Sequence, residues 1–192
     1  HVGRQPVYDR RGDVVGYELL FRSGPDAVTA TSRNAFATSQ VIVAAFTEFG
    51  LDQLVGDRPC FVNLTREFLV GDLPVPFDPG RTVLEVLETV TPDDEVCAGV
   101  RELADRGYTI ALDDFRPTAS RLLPMATYVK LDMVDNDTET LTATVGALRE
   151  YPGLTLVAER VETEERLALA FELGFELFQG HVLGRAHVIS AQ

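Results

Sequence analysis

The chain has few cysteines and lacks the spacing patterns of a zinc site. Only two cysteines, Cys60 and Cys97, occur in 192 residues, too few and too far apart for a disulfide framework. Because Cys60 falls in a predicted buried strand, we interpret both as reduced thiols and expect a cytoplasmic protein. The sequence contains neither a His-x-x-x-His nor a Cys-x-x-Cys pair, which argues against zinc.

Positive charge is scarce, and long apolar segments are missing. Lysine and arginine total 17 against 30 aspartates and glutamates, which gives a formal net charge of -13. Binding to duplex nucleic acid or to an anionic membrane requires clustered basic residues, so the composition argues against both. No run approaches the roughly 20 apolar residues of a membrane span, and the chain does not begin with a charged and then apolar leader.

The hydrophobic content of 45% is sufficient for a large core, and the length favours one domain over residues 1–192. From about residue 35 onward, strand-like runs alternate with helix-like runs, which is typical of βα units and a parallel sheet. Apolar residues recur at helical spacing in Ile42 to Phe49, Val96 to Ala104, Leu141 to Leu148 and Leu167 to Phe171. The predicted fold is α/β, a TIM-like (β/α)8 barrel.

Three regions predict departures from a regular barrel. Residues 5–9 and 14–21 flank the turn from Arg10 to Asp13, which is short enough for an antiparallel hairpin. Prolines from Pro74 to Pro79 interrupt any helical period, so one crossover is expected to be shortened. The chain ends soon after its last predicted strand, so we expect the last covering helix to be missing and the chain to be part of a longer protein.

The most informative pattern is a polar residue at the end of nearly every strand-like run. In a parallel barrel these strand ends meet at one rim, where barrel enzymes carry their chemistry. A single acid at a strand end is more often a helix cap or a solvated loop residue. The recurrence of such residues at successive strand ends instead favours a functional site at the rim. The residues are Glu18, Asn63, Glu85, Glu88, Asp113, Asp114, Lys130, Asp132, Glu159, Glu162 and Gln179.

Oxygen ligands from different strands favour a hard divalent cation, Mg2+ or Mn2+. So many neighbouring carboxylates would repel one another strongly without a cation. Lys130 lies among them and is suited to orient or deprotonate a water, as phosphoryl transfer requires a positioned nucleophile. These residues therefore indicate a metal-dependent phosphodiesterase.

The motifs that carry these residues resemble those of EAL domains, the cyclic di-GMP phosphodiesterases. The segment from Arg4 to Arg22 is similar to the start of that family, with Glu18-Leu19-Leu20 at the position of Glu-Ala-Leu. The resemblance continues in family order over nearly the whole chain. The further matches are Phe61-Val-Asn63-Leu, Leu84-Glu85-Val-Leu-Glu88, Leu112-Asp113-Asp114-Phe115, Val129-Lys130-Leu-Asp132, Ala158-Glu159-Arg-Val-Glu162 and Phe178-Gln179-Gly180.

This resemblance implies a barrel that binds cyclic di-GMP at its rim and hydrolyses it to linear pGpG with two Mg2+ or Mn2+ ions. It implies that Lys130 holds or activates the hydrolytic water and that Glu88 steadies the loop after Asp113 and Asp114. The implied ligands of one ion are Glu18, Asn63, Glu85 and Asp113, and those of the other are Asp113, Asp114 and Glu159. The implied substrate-binding residues are Leu20, Arg22, Gln179 and the supporting carboxylate Glu162.

The sequence departs from the family pattern at several positions. The family loop Asp-Asp-Phe-Gly-Thr-Gly is here Asp113-Asp-Phe-Arg116-Pro117-Thr118, so we expect glycine's backbone freedom to be lost there. In the family this loop couples homodimer formation to the second metal. Leu87 replaces the usual threonine, Arg160 replaces a glycine, and Ala186 falls near the customary proline.

The short segment after Arg22 and the shortened crossover resemble the EAL branch that is fused to a C-terminal HDOD domain, many members of which act as signalling scaffolds. The sequence leaves open a working phosphodiesterase, a degenerate module that binds cyclic di-GMP or a protein partner without turnover, and a different metal-dependent hydrolase. Arg116 favours the module, because a fixed guanidinium near the phosphates can bind the ligand while displacing a metal.

Overall fold

Eight strands close into a barrel in the computed structural model, which describes residues 2–21 and 56–183. They follow chain order around the barrel. β1 is antiparallel to β2 and to β8, whereas the other neighbouring pairs are parallel, so the predicted TIM-like barrel with an antiparallel first strand is confirmed. The strands are β1 (Val2–Tyr8), β2 (Val14–Phe21), β3 (Cys60–Leu64), β4 (Thr82–Val86), β5 (Thr109–Leu112), β6 (Tyr128–Asp132), β7 (Thr155–Glu159) and β8 (Leu177–Phe178).

The longer helices are those that apolar spacing predicts. The helices of the described residues are α1 (Arg66–Leu69), α2 (Asp94–Asp105), a 3-10 helix (Pro117–Met125), α3 (Thr138–Leu148) and α4 (Glu164–Leu173). Asp93, Asp137 and Thr163 cap α2, α3 and α4, since each side chain accepts a hydrogen bond from a backbone N–H in the first turn. The helix predicted from Ile42 to Phe49 lies outside the described residues. In the part of the chain that is described, no helix has the length and apolar character needed to cross a membrane.

Two of the described crossovers lack a full-length α-helix. Between β3 and β4 the only helix is the single turn α1, so the predicted shortening around Pro74 to Gly80 is confirmed. Between β5 and β6 the chain forms the 3-10 helix, with Pro117 in its first turn and Pro124 inside it. Proline removes a backbone donor and clashes with the preceding turn, which disfavours an α-helix here. The missing last helix stays a prediction, because residues 184–192 are outside the described part.

Strand alternation separates two apolar clusters and also points the polar residues inward. Leu84 and other residues pack against the helices, whereas Phe61 and Val83 belong to a small cluster inside the barrel. Side chains alternate along a strand with a period of two, so Asn63 and Glu85 share the inward face of Phe61 and Val83 one step nearer the strand ends. The barrel interior is therefore polar at the carboxyl ends of the strands and apolar one layer further in.

Candidate active site

A buried lysine at the centre of the carboxyl rim contacts three carboxylates from three strands. Lys130 Nζ lies 2.5 Å from Glu85 Oε1, 3.1 Å from Glu18 Oε1 and 3.2 Å from Glu159 Oε1. Its side chain is fully buried, and Nζ lies 5.3 Å from the centroid of the Phe61 ring below it. Lys130 is also the only lysine in the sequence. We call Lys130, Glu18, Glu85, Glu159 and the adjacent Asp113 the rim cluster.

The rim cluster perturbs the pKa values of its members. Burial alone would lower the pKa of Lys130, but the neighbouring Glu85, Glu18 and Glu159 raise it well above its usual value. Burial raises the pKa of Glu85 to about 8, even though Lys130 opposes this change. Burial, followed by Glu159 and Glu85, raises the pKa of Asp113 to about 10. One ammonium does not compensate this much negative charge, so the cluster favours bound protons or additional cations.

Several buried oxygens at the rim have no hydrogen-bond partner within the described residues. They are Asn63 Oδ1, Glu85 Oε2 and Asp114 Oδ1. An unsatisfied buried acceptor is costly, and such oxygens are the ligands that hard divalent ions prefer. Over residues 2–21 and 56–183, no three His, Cys, Asp or Glu side chains converge as a set of metal ligands. We attribute this to Lys130, around which three of the predicted ligands gather.

In the loop after β5, Arg116 and Pro117 adopt backbone conformations that are ordinary for these residues. Arg116 is extended, with φ of -127° and ψ of 152°, and Pro117 begins the 3-10 helix, where its fixed φ is suitable. Neither residue therefore needs the backbone freedom that glycine provides. The positive φ of this loop, 42°, belongs to Asp114. Arg116 Nη2 lies 3.3 Å from Asp114 Oδ2, and Phe115 N donates to Lys130 O.

Glu88 does not belong to the rim cluster. It is exposed on the loop after β4, three residues beyond Glu85, and lines a cavity of about 210 Å3. Asp113, Asp114 and Arg116 line the same cavity, so Glu88 faces the loop that it was predicted to steady.

The predicted substrate-binding residues occupy different environments. Gln179 is buried, and neither its Oε1 nor its Nε2 has a hydrogen-bond partner within the described residues. Glu162 Oε2 lies 2.6 Å from His181 Nδ1 on the loop after β7. Leu20 is half-buried near the end of β2. Arg22 lies outside the described residues.

One ion pair at the rim was not predicted. Arg160 Nε lies 2.6 Å from Asp132 Oδ2, and Arg160 Nη2 lies 2.7 Å from Asp135 Oδ2. Burial would raise the pKa of Asp132, but hydrogen bonds from Arg160 and from backbone N–H groups lower it. The opposite charges at the ends of neighbouring parallel strands are the signal that could have identified this pair.

Comparison with known sequences identifies similar proteins. A family model described as "EAL domain" matches residues 4–186. The chain is 33% identical to the uncharacterized protein YuxH of Bacillus subtilis over 195 residues, which cover 98% of this chain and 48% of YuxH. It is 34% identical over 200 residues to the cyclic di-GMP phosphodiesterase CdgJ of Vibrio cholerae, covering 98% of this chain and 45% of CdgJ. The chain thus spans about half the length of these relatives.

A solved structure with the same fold is that of the Bacillus subtilis protein YkuI, which has an EAL domain and is in complex with cyclic di-GMP and calcium. The TM-score is 0.72, the sequence identity is 20%, and the match covers 94% of this chain and 53% of YkuI. At this identity the likeness establishes the barrel architecture.

Proposed function

The chain belongs to the EAL domain family, and on this premise we propose that it hydrolyses cyclic di-GMP to linear pGpG with divalent metal ions. The rim cluster is the observation that carries the proposal, since it packs several acids around one buried lysine. Burying charges is costly, and a barrel without chemistry at its rim has no physical need for such a cluster. The name of CdgJ and the ligands of YkuI support the same substrate and the use of a divalent ion.

The residues at the rim fit a divalent ion. Carboxylate and amide oxygens are suitable ligands, and the buried oxygens of Asn63, Glu85 and Asp114 lack hydrogen-bond partners within the described residues. Glu18, Asn63, Glu85 and Asp113 would hold one Mg2+ or Mn2+ ion, and Asp113, Asp114 and Glu159 would hold a second. Bound ions would neutralise the phosphate oxygens and make a bound water more acidic.

We assign Lys130 to holding and orienting the attacking water. Its raised pKa keeps the ammonium protonated at neutral pH, so it acts as a hydrogen-bond donor rather than as a base. Contacts to Glu18, Glu85 and Glu159 fix the position of Nζ, and a fixed donor contributes more than a mobile one because its orientation is already established.

A second candidate function is a cyclic di-GMP receptor without turnover. The observation that favours it is the ion pair between Arg116 and Asp114, which engages one oxygen of a predicted metal ligand. A guanidinium at this position supplies positive charge to an anionic ligand without an ion. Glu88, Gln179 and Glu162 would then serve binding alone.

A chromatographic assay separates the two functions. The purified chain is incubated with cyclic di-GMP in Mg2+, in Mn2+ and in EDTA, beside the variant Glu18→Ala. If the chain is a phosphodiesterase, pGpG should form only in the samples with a metal ion, and Glu18→Ala should form none. Intact cyclic di-GMP in every sample, together with ligand binding in Ca2+ by calorimetry, would establish the receptor instead.

A further inference from the structure

Two ion pairs join the ends of β6 and β7, and β6 supplies the cation of one pair and the anion of the other. β6 carries Lys130 and then Asp132, whereas β7 ends at Glu159 and is followed by Arg160. Lys130 Nζ lies 3.2 Å from Glu159 Oε1, and Arg160 Nε lies 2.6 Å from Asp132 Oδ2. Asp132 pairs with Glu159 in the strand register, so the second ion pair adjoins the first.

Arg160 occupies a backbone conformation that favours glycine. Its φ is 52°, which is strained for a residue with a side chain and which glycine adopts freely. The side chain compensates for this strain by contacting two acids, since Nη2 lies 2.7 Å from Asp135 Oδ2. A strained conformation persists where its surroundings hold it in place. Glycine would avoid the strain but could not form these ion pairs, so the guanidinium is the feature that arginine adds at this position.

Asp132 differs from Glu85 and Asp114 because both of its carboxylate oxygens accept hydrogen bonds. Its Oδ1 accepts hydrogen bonds from Val134 N at 2.7 Å and from Asp135 N at 2.9 Å, and its Oδ2 accepts one from Arg160. Glu85 and Asp114, in contrast, each keep a buried oxygen without a hydrogen-bond partner in the described chain. Asp132 thus anchors Arg160 instead of offering a spare oxygen to a cation.

We propose that Arg160 is a positioning residue, whose ion pair with Asp132 holds the ends of β6 and β7 at the spacing that lets Glu159 reach Lys130. Its effect on catalysis rests on the proposed function, but its effect on Lys130 does not. A shift of about 1 Å in a catalytic group can cost about a hundredfold in rate. Neither Arg160 nor Asp132 is among the predicted substrate contacts, so the ion pair acts on kcat more than on KM.

The test compares Arg160→Gly and Arg160→Lys with the control Arg121→Ala. Glycine accepts the positive φ, so Arg160→Gly removes the ion pair without adding backbone strain. Lysine keeps the charge but does not bond Asp132 and Asp135 in the same forked geometry. Arg121 is an exposed arginine in the 3-10 helix, where it pairs with Asp94 at 2.8 Å and lies outside the rim cluster.

The first readout does not require activity. Because Lys130 is the only lysine, labelling with 15N-lysine gives a single backbone amide resonance that reports on the rim cluster. We expect this resonance to shift in Arg160→Gly, to shift less in Arg160→Lys and to stay unchanged in Arg121→Ala, with melting temperatures of all variants close to that of the parent. An unchanged Lys130 resonance in Arg160→Gly would overturn the proposal.

The second readout is steady-state hydrolysis of cyclic di-GMP in Mn2+. We expect Arg160→Gly to lower kcat about tenfold or more with KM within about twofold, and Arg160→Lys to recover part of the loss. A kcat equal to that of the parent would contradict the catalytic role. If the parent itself shows no turnover, the proposed function fails, and the resonance of Lys130 still decides whether Arg160 positions it.

Discussion

Lys130 Nζ and Glu85 Oε1 lie 2.5 Å apart, and both side chains are fully buried at the mouth of the barrel. The strands that carry them are not neighbours, since β4 and β6 flank β5. This contact therefore passes the inward side of β5 and links two strands that share no backbone hydrogen bonds. Removing either partner leaves a buried charge whose compensation is lost.

We expect Lys130→Met to destabilise the chain by about 3–5 kcal/mol at pH 8, the usual cost of breaking a buried ion pair. The cost should be smaller at pH 5, because Glu85, whose pKa is raised to about 8, then carries a proton instead of a charge. Urea unfolding at both pH values measures the difference. Arg121→Met is the control, because its pair with Asp94 is exposed to solvent and should contribute little to stability. A similar loss in both variants would contradict the account.

The raised pKa of Glu85 predicts a stability that depends on pH. Its pKa is about 8 in the folded chain and near 4.5 in the unfolded chain, so between these values the folded state holds the additional proton. The free energy of unfolding should therefore decrease as pH rises from about 5.5 to 8 in EDTA. Glu85→Gln removes this titration and should reduce the slope, whereas Asp113, whose pKa is also raised, should maintain the rest of it. Parallel curves for the two proteins, measured by urea unfolding, would show that Glu85 does not titrate in this range.

Gly99 allows α1 and α2 to pack closely. A Cβ atom at this position would overlap the carbonyl oxygen of Leu69 at the end of α1. We expect Gly99→Ala to destabilise the chain by about 1–3 kcal/mol in thermal or urea unfolding. Gly146 in α3 is the matched control, because a Cβ there has no neighbour within 4 Å and alanine favours a helix by about 0.5–1 kcal/mol. Equal effects at both positions would contradict this packing argument.

The ion pair between Arg116 and Asp114 predicts a change in metal affinity. Because Arg116 is extended, replacing it does not relieve backbone strain and acts only by freeing Asp114 Oδ2. We expect Arg116→Ala to bind Mn2+ a few-fold more tightly in titration calorimetry, since an exposed pair contributes up to about 1 kcal/mol. Arg121→Ala should bind Mn2+ as the parent does. Weaker binding by Arg116→Ala would show that this arginine supports the site.

Much of the fold and of the site is predictable because both follow from local patterns. Alternation with a period of two places Asn63, Glu85 and Lys130 on the inward face, and apolar spacing predicts α2, α3 and α4. Glu88 was grouped with these acids, but it lies beyond the end of β4, where the alternation no longer applies. Its exposed position on the loop follows from that difference.

Features that depend on tertiary contacts were not predicted. The 3-10 helix from Pro117 to Met125 takes the place of a longer crossover, and its conformation follows from two prolines together with the short span between β5 and β6. The pair of Arg160 with Asp132 depends on the register of β6 and β7, which the separate motifs do not specify. The sequence predicts that Lys130 lies among the acids of the rim, but which three carboxylates it contacts depends on closure of the barrel.

The most direct measurement of the central claim is a time course of pGpG formation from cyclic di-GMP in Mn2+, with EDTA added midway. The account predicts that product accumulates, that accumulation stops when EDTA removes the ion, and that Glu85→Gln forms none. Product formation that continues in EDTA, or that proceeds equally in Glu85→Gln, would contradict a metal-dependent phosphodiesterase site at the rim cluster.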